Sequence, residues 1–492
     1  MSGLPSNLYS AQRVRELDRA AIEKFAIPGY ELMQRAGQAA FELVRAQWPR
    51  ARSMVVVTGT GNNGGDGYVI ARLARDTGID VRVVQCGDRD RIRGDARSAR
   101  DAYASIGGRV DNDVDDALST ADIVVDALLG TGLQDPVRGA PKAAIEAINA
   151  QAAPVLAVDV PSGLHSDTGM PLGVAVRADC TISFIGLKQG LFTGQAADYC
   201  GKLFFDDLRV PVEVFDQVAP SAQRVELAQF NAQLTPRARA SHKGNFGHVL
   251  VIGGERGMAG APRMAAEAAA RMGAGLVSVA TRPEHAALVN VTRPELMVHP
   301  VAGPTELQPL LKRATTVAIG PGLGQTAWSR GMLSAVLDSG IPAVIDADGL
   351  NLLAVEPSWR DNWVLTPHPG EAARLLGVTT SAIQQDRYQA VERLQRRYGG
   401  ACVLKGAGTL IRSEIRTAVC AAGNPGMASG GMGDVLSGVI AGLMAQGLSG
   451  TQAAELGVCA HAAAGDRAAA ARGERGLLAT DLFVHLQQLV NP

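Results

Sequence analysis

A glycine-rich segment that also carries amide and carboxyl side chains lies early in the chain. Residues 59–67 read GTGNNGGDG, between an apolar run and a helical pattern. Glycine lets the backbone approach an anion closely, and the start of a helix offers free N–H groups and the positive end of its dipole. A tight turn between a strand and a helix would also use such glycines. Because a turn has no need of Asn62, Asn63 and Asp66, we favour an anion-binding loop.

Two aspartates close other apolar runs in the same half of the chain. Asp126 precedes the loop 129–133, LGTGL, and Asp159 precedes Pro-Ser-Gly. Carboxylates at the carboxyl ends of parallel strands face the crevice in which such sheets bind ligands. Each aspartate could instead cap a loop or a helix. Their place in the same predicted sheet as residues 59–67 favours one shared ligand-binding site.

A second glycine-rich segment precedes an apolar helical run in the other half. Residues 423–434 read GNPGMASGGMGD, and residues 435–444 follow with an apolar helical pattern. A glycine-rich turn that opens a helix directs N–H groups at one point, which stabilises a transferring phosphoryl group. Asp434 beside that point could take a proton from a substrate hydroxyl. The alternative is an aspartate placed in the first helical turn by the helix dipole alone.

The elements that position the first site are short β-branched runs separated by helix-length segments. The predicted strands are residues 54–58, 81–86, 123–127, 155–160 and 180–185. Apolar runs without strict alternation indicate parallel strands that are covered on both faces. Ser10 precedes a helical pattern over residues 11–25. This half therefore predicts a Rossmann-like, doubly wound α/β/α sandwich.

The second half predicts another α/β/α sandwich, because its strands and helices alternate but its glycine motifs differ. The predicted strands are residues 247–252, 276–280, 316–319, 343–345, 363–366 and 401–404, and residues 431–488 have a helical pattern. Between the halves, around residues 208–239, prolines interrupt any sustained period. We therefore place two domains at residues 1–225 and 226–492.

The composition restricts the class of function. The chain has 492 residues, a net charge of −1 from 47 basic and 48 acidic side chains, and 4% aromatic residues. These values disfavour binding to nucleic acid or to an anionic membrane. The six cysteines are scattered without metal-ligand spacing, so we expect reduced core residues. No apolar segment is long enough for a membrane span, and we expect a cytoplasmic protein.

Over about residues 10–215 the sequence resembles the NAD(P)H-hydrate epimerase domain. The resemblance rests on GTGNNGGDG, on VDALLGTGL at 125–133, on VDVPSGLHSDTG at 158–169 and on KQG at 188–190, all in family order. Gln34 stands where Glu is common in the family, and Gln189 stands where Pro is often found. We regard neither difference as disabling.

That resemblance implies a role for each matching residue. It makes Asp159 the acid/base residue, and it implies a potassium ion held by Asn63, Asp126 and Ser162. The phosphates of the hydrated cofactor would lie on Asn62, Asn63, Gly64, Gly65 and Asp66. A second loop would contact the substrate through Gly130, Thr131, Gly132, Leu133, Gln134, Asp135 and Pro136.

From about residue 226 to 490 the sequence resembles the ribokinase-like, ADP- or ATP-dependent NAD(P)H-hydrate dehydratase. The motifs are KGNFG at 243–247, GAP at 260–262, GPGLG at 320–324, DADGLN at 346–351, TPHPGE at 366–371 and LKGAGT at 404–409. Ser429 replaces the usual Thr and keeps the hydroxyl. By this resemblance the hydrate contacts Ala261, Gly322, His368 and the catalytic Asp434. The adenine nucleotide contacts Lys405, Gly406, Ala407, Gly408, Thr409 and Gly433.

The two resemblances together imply repair of hydrated nicotinamide cofactors. One half would interconvert the R and S hydrates of NADH and NADPH, and the other would dehydrate the S form with ADP or ATP and magnesium. A ribokinase-like kinase for a vitamin alcohol, joined to a non-catalytic binding domain, is the alternative. The preference between ADP and ATP, and between the two hydrates, stays open. We expect small-molecule partners and a homo-oligomer.

Overall fold

The structure is a computed structural model that describes residues 3–491. The chain divides into two compact units, one that ends at Gln223 and one that begins at Arg224. Both are mixed α/β units built on a mainly parallel sheet. The fold class predicted from the sequence is confirmed.

The first unit contains ten strands and seven helices. The strands are β1 (Asn7–Tyr9), β2 (Ser53–Thr58), β3 (Asp80–Gln85), β4 (Arg109–Asp111), β5 (Ile123–Ala127), β6 (Val155–Val158), β7 (Cys180–Phe184), β8 (Leu187–Lys188), β9 (Lys202–Asp206) and β10 (Ala222–Arg224). The helices are α1 (Ala11–Glu23), α2 (Gly29–Gln47), α3 (Asn62–Asp76), α4 (Gly94–Ser105), α5 (Val114–Leu118), α6 (Gly139–Ala150) and α7 (Val212–Phe215).

Seven of these strands form a parallel sheet in the order β4-β3-β2-β5-β6-β7-β9. The chain moves outward in one direction from β2 to β4 and in the other from β5 to β9. The strand order therefore reverses between β2 and β5, where open α/β sheets bind ligands at their carboxyl ends. Thr58 lies opposite Ala127 in this pair, so the loops after β2 and β5 start side by side.

Alternate residues of the central strands are buried on opposite faces of this sheet. Val56 packs in a core with residues of α1 to α4. Val55 and Val57 pack in a second core with residues of α5 and α6. Burial on both faces explains why the strands read as continuous apolar runs in the sequence.

The second unit contains nine strands and eleven helices. The strands are β11 (His248–Ile252), β12 (Leu276–Thr281), β13 (Met297–Pro300), β14 (Thr316–Ile319), β15 (Ala343–Ile345), β16 (Trp363–Leu365), β17 (Ala401–Leu404), β18 (Thr409–Arg412) and β19 (Thr417–Cys420). The helices are α8 (Gly260–Arg271), α9 (Ala286–Val289), α10 (Pro304–Leu311), α11 (Ala327–Ser339), α12 (Ala347–Val355), α13 (Pro369–Leu376), α14 (Thr380–Gln385), α15 (Arg387–Tyr398), α16 (Met432–Ala445), α17 (Gly450–Arg472) and α18 (Leu482–Leu489).

The sheet of this unit runs β13-β12-β11-β14-β15-β16-β17-β18-β19. Its strands are parallel from β13 to β17, and β18 and β19 are antiparallel. One face is covered by α8, α16, α17 and α18, which contribute much of the hydrophobic core. The carboxyl ends of β15, β16 and β17 are neighbours, so the loops that follow them share one edge of the sheet.

The structure differs from the sequence prediction at several element ends. Helices α3 and α16 begin at Asn62 and Met432, inside the glycine-rich segments that we expected to precede them. Strand β6 ends at Val158 rather than Val160 because Asp159 has a φ of 68° and leaves the extended conformation. The short strands β4, β13 and β18 were absent from the prediction, since three or four residues carry too little periodic signal.

Gly438 permits the close packing of α16 against α8, and its replacement is predicted to weaken the second unit. A Cβ at this position would lie 2.0 Å from the carbonyl oxygen of Ala265. Alanine favours a helix by about 1 kcal/mol over glycine, but overpacking costs about 1–3 kcal/mol. We expect G438A to lower the midpoint of thermal unfolding by several degrees. G260A, where the new Cβ meets nothing within 4 Å, is the matched control and should not lower it.

Candidate active sites

A cavity of about 710 Å³ lies beside the ends of β2, β5 and β6 in the first unit. Its volume is within the usual range for small-molecule sites. The predicted site residues that line it are Asn62, Asn63, Asp66, Gly130, Thr131, Gly132, Leu133 and Asp159. Two loops that are far apart in sequence therefore meet at the point where the strand order reverses.

Five residues that were predicted to bind the substrate do not line this cavity. Gly64 and Gly65 lie in the first turn of α3, where a Cβ would come within 2.2 Å of the Gly59 carbonyl oxygen or 2.6 Å of the Met33 sulfur. Their lack of a side chain serves close packing of the helix. Gln134, Asp135 and Pro136 are exposed beyond the cavity-lining part of their loop.

Asp159 is held by a buried lysine. The Lys188 side chain is 1% exposed, and its Nζ donates to Asp159 Oδ1 and, at 3.1 Å, to the Phe184 carbonyl oxygen. The Ser183 hydroxyl also donates to Asp159 Oδ1, at 3.2 Å. Strand β8 carries Lys188, which sequence reasoning had treated only as part of a family motif. The carboxylate at the end of β6 is therefore fixed in direction by a cation and a hydroxyl.

Two further carboxyls share the electrostatic surroundings of this pair. The pKa of Asp18 is raised to about 6, mainly by burial. Asp159 also raises this pKa, and Lys188 lowers it. Burial raises the pKa of Asp66 well above its usual range, with Asp159 and Asp18 adding to the effect. Sequence reasoning missed Asp18, because nothing in the pattern of α1 separates it from the other charged residues of that helix.

The residues expected to hold potassium do meet in the structure. Asp126 is completely buried and accepts from the Ser162 hydroxyl at 2.5 Å and from the Ser162 backbone N–H at 2.8 Å. Burial raises its pKa to about 6, and no basic side chain within residues 3–491 pairs with it. The Asn63 amide donates to the Leu129 carbonyl at 3.1 Å, while Asn63 Oδ1 is buried without a partner. These oxygens fit a monovalent cation.

In the second unit, Lys405 follows β17 and forms an ion pair with Asp346, which follows β15. Lys405 Nζ lies 2.8 Å from Asp346 Oδ1 and 3.8 Å from Glu371 Oε2. The Ser437 hydroxyl donates to Asp346 Oδ2 at 2.7 Å. Burial favours a raised pKa for Asp346, but Lys405 outweighs it and the pKa is lowered. The same strand-end rule that selected Asp126 could have selected Asp346.

Asp434 lies in the first turn of α16 close to this ion pair. The pKa of Asp434 is raised to about 7. Burial is the largest cause, Asp346 and Glu371 also raise the pKa, and Lys405 lowers it. A Cβ on the neighbouring Gly433 would lie 3.2 Å from Lys405 Nζ, so the helix start and the lysine are in direct contact. A carboxyl with a pKa near 7 can accept or donate a proton at neutral pH.

The other residues expected to contact the hydrate lie at two places in the second unit. Gly322 lies beside Ala261, because a Cβ on Gly322 would be 3.2 Å from the Ala261 Cβ. His368 caps α13, and its Nδ1 accepts from the N–H groups of Gly370 and Glu371. Burial lowers the pKa of His368, so the ring is neutral at neutral pH.

The loop expected to hold the nucleotide is supported by a residue that sequence reasoning missed. Residues 405–409 join β17 to β18, and Gly406 and Ala407 are exposed. Arg387 is 1% exposed and donates to the carbonyl oxygens of Leu404, Lys405 and Gly408. One guanidinium therefore fixes the curvature of the loop from beneath.

Metal-binding clusters and membrane spans were also sought. Across the described residues, no group of three or more His, Cys, Asp or Glu side chains could hold a metal ion. Within residues 3–491 no helix has both the length and the apolar character needed to cross a membrane.

Two parallel α/β units, each with buried acid groups and a glycine-rich helix start at the carboxyl ends of its strands, define a two-domain α/β enzyme. Residues 29–190 match the family described as YjeF-related protein N-terminus. Residues 249–488 match the family described as NAD(P)H-hydrate dehydratase.

Full-length relatives carry both units. A bifunctional NAD(P)H-hydrate repair enzyme of Coxiella burnetii is 52% identical, with 99% of each chain covered. One of Escherichia coli is 47% identical over 99% of this chain and 95% of its own. A solved structure of a hypothetical protein from Streptococcus mutans is 28% identical, covers 55% of this chain and all of its own, and has a TM-score of 0.51. The chain belongs to the family of bifunctional NAD(P)H-hydrate repair enzymes, and the resemblance drawn from its motifs is confirmed.

Lys188 compensates the carboxyl cluster of the first unit, and its removal is predicted to make stability depend on pH. Because Lys188 lowers the pKa of Asp18 and Asp66, K188M should raise both further. When folding raises the pKa of a carboxyl, ionisation of that carboxyl destabilises the fold. Stability therefore falls as the pH rises through the range in which the carboxyl ionises. We expect the thermal midpoint of K188M to fall further below that of the parent protein as pH rises from 5 to 8. Removing one partner of a buried pair costs about 3–5 kcal/mol.

The control is K142M, which removes an exposed lysine 3.7 Å from Glu146 in the same unit. Its midpoint should follow that of the parent at every pH. A deficit in K188M that does not change with pH would contradict the role given to Lys188.

Proposed function

We propose that this chain repairs hydrated nicotinamide cofactors with two activities. The first unit interconverts the R and S hydrates of NADH and NADPH. The second unit converts the S hydrate to the intact dinucleotide, with ADP or ATP as the phosphoryl donor. The observation that carries the proposal is the presence of two separate acid–base sites, around Asp159 and around Asp434, in one chain of this family. A homo-oligomer and a cytoplasmic location stay predictions.

In the first unit the substrate would lie across the cavity between α3 and the loop after β5. The first turn of α3 offers backbone N–H groups and a positive dipole end to the phosphates. Asp66 lies near the carboxyls Asp18 and Asp159, so we assign the contribution of the motif to phosphate binding to its backbone. Asp159, oriented by Lys188, exchanges a proton with the oxygen that leaves the ring carbon as water, or with the water that adds to that carbon.

The oxygens of Asn63, Asp126 and Ser162 would hold the potassium ion. Asn63 Oδ1 is buried without a partner, and a cation would satisfy it together with the buried Asp126 carboxylate. When bound, the ion supplies fixed positive charge beside the phosphate-binding turn. The Asn63 amide donates to the Leu129 carbonyl oxygen, so it links the first turn of α3 to the loop after β5.

In the second unit, Asp434 takes the proton of the hydrate hydroxyl. The oxygen of that hydroxyl attacks the terminal phosphorus of the nucleotide. The bond between that phosphorus and the bridging oxygen of the nucleotide breaks, and the oxygen leaves with AMP or ADP. The N–H groups around Gly433 stabilise the negative charge on the transferring phosphoryl group. Phosphate then leaves the ring carbon with the C–O electron pair, assisted by the ring nitrogen, and loss of a ring proton restores the dihydronicotinamide. The products are AMP from ADP, or ADP from ATP, and phosphate.

The ammonium of Lys405 pairs with Asp346 and Glu371. We therefore propose that Lys405 positions the site and does not bind the nucleotide phosphates directly. It lies against Gly433 and fixes the helix start relative to the loop 405–409, whose exposed residues contact the nucleotide. Ala261, Gly322 and His368 would bind the hydrate. Magnesium would accompany the nucleotide phosphates, as it does in other phosphoryl transfers.

Both activities are tested in one reaction. Purified protein is mixed with the two epimers of hydrated NADH, potassium, magnesium and ADP, and NADH absorbance, remaining hydrate and phosphate are followed. We expect complete conversion to NADH with one phosphate released per NADH. D159N should lower epimerisation by about 10²–10⁴-fold and stop conversion once the S epimer is consumed. D434N should form NADH only at a low rate and still interconvert the epimers.

The other outcomes separate the alternatives. A parent protein that stops when the S epimer is consumed would have a silent first unit. Accumulation of a phosphorylated alcohol without NADH would indicate a kinase. No conversion with either ADP or ATP overturns the repair function.

The pKa of Asp434 predicts the pH dependence of dehydration. Asp434 must be ionised to accept the hydroxyl proton, and its pKa is raised to about 7. We therefore expect kcat/KM for the S hydrate to be constant above pH 8 and to fall by about tenfold per unit of pH below 7. D434N should have a low rate without this fall. The control D338N removes an exposed carboxyl of the second unit and should keep the parent profile.

A further inference from the structure

Asp18 belongs to the wall of the first-unit cavity although it lies far from Asp159 in sequence. Helix α1 buries Val14, Leu17 and Ala21 in the core, and Asp18 follows Leu17 at the edge of that buried face. Asp18 and Asp159 line the same cavity and come from separate elements of the unit. Asp159 is also one of the charged groups that raise the pKa of Asp18.

The two carboxyls differ in what engages them. Asp159 accepts from Lys188 and Ser183. Within residues 3–491, no hydrogen bond or ion pair engages the carboxyl of Asp18, which is therefore free to contact a molecule in the cavity. A partly buried carboxyl without a partner is costly to a fold unless it has another use.

Inversion at one ring carbon makes a demand that a single carboxyl does not meet. The hydroxyl leaves from one face of the ring, and water must add to the opposite face. A carboxylate fixed by a buried lysine can approach only one of those faces while the ring stays bound. A second proton-transfer group is needed on the other side.

We propose that Asp18 is that group, a second catalytic carboxyl that acts with Asp159 in the first-unit cavity. The inference rests on the proposed epimerase function and adds a residue to it. Asp18 and Asp159 exchange the roles of acid and base when the reaction runs in the opposite direction.

The proton and electron balance is as follows for one direction. Asp18 in its protonated form donates to the ring hydroxyl, and the C–O bond breaks with its electron pair on oxygen, which leaves as water. The lone pair of the ring nitrogen forms a C=N bond, and the cation is stabilised by the carboxylates. Water then adds to the other face, the C=N electrons return to nitrogen, and the proton lost by water passes to Asp159. The carboxyls regain their starting state by exchange with solvent.

The charges around Asp18 favour this role over the same role for Asp66. A pKa of about 6 lets Asp18 be protonated or ionised near neutral pH, whereas burial raises the pKa of Asp66 well above its usual range. The charged groups that act on Asp18 or line the cavity with it are Arg15, Asp66, Asp88, Arg91, Asp95, Asp159 and Lys188. Lys188 lowers the pKa of both Asp18 and Asp66.

The test measures interconversion of the pure R and S hydrates of NADH by the full chain without nucleotide. D18N keeps the size of the side chain and removes its proton transfer, so we expect a fall in kcat of about 10²–10³-fold with little change in KM. D18E should recover part of the loss. The dependence of the parent rate on pH near 6 should disappear in D18N. The matched control E23Q removes an exposed carboxyl of the same helix and should keep the parent rate.

Folding is checked in the same samples by thermal unfolding and by ADP-dependent dehydration of the S hydrate, which D18N should retain. A D18N protein that keeps more than half of the parent kcat, or that keeps its pH dependence near 6, overturns the role of Asp18 and leaves the epimerase function standing. A parent protein that does not interconvert the epimers overturns both.

Discussion

In each unit one buried lysine faces several carboxyls at the carboxyl ends of parallel strands. Lys188 compensates Asp159 and acts on Asp18 and Asp66. Lys405 compensates Asp346 and acts on Glu371 and Asp434. Burial is the largest cause of the raised pKa values among these carboxyls, and the one positive charge in each unit only partly offsets it. This imbalance supplies each site with a group that exchanges protons near neutral pH.

The topology of the sheets explains why the imbalance arises where it does. Strands buried on both faces cannot hold charged side chains along their length, so polar residues collect where the strands end. In the first unit these ends meet between β2 and β5, where the order of strands reverses. In the second unit the ends of β15, β16 and β17 bring together residues from three separate loops. Close-packed glycines such as Gly64 and Gly438 let the helices approach the sheet and one another.

The two sites differ in how much of their chemistry lies in local motifs. In the second unit, the segment that ends at Asp434 contains both the helix start and the carboxyl, and sequence reasoning identified both. In the first unit, the glycine-rich segment contains the helix start, but burial raises the pKa of its carboxyl, Asp66, well above the usual range. In our proposal, proton transfer there depends on Asp159, which is oriented by Lys188 from a separate strand, and on Asp18 from a helix near the beginning of the chain.

The amino-acid sequence by itself determined the two α/β units, most of the strands and the family motifs, because apolar periodicity and short glycine patterns are local properties. It placed Asp126, Asp159 and Asp434 correctly at the ends of strands or at a helix start. Only the tertiary structure decided that Gly64 and Gly65 serve packing, that Arg387 supports the loop 405–409, that Lys188 pairs with Asp159, and that Asp18 lines the same cavity. It also decided which carboxyls have raised pKa values. Burial and Coulomb interaction depend on distance in space, and the spacing of residues along the chain does not contain that distance.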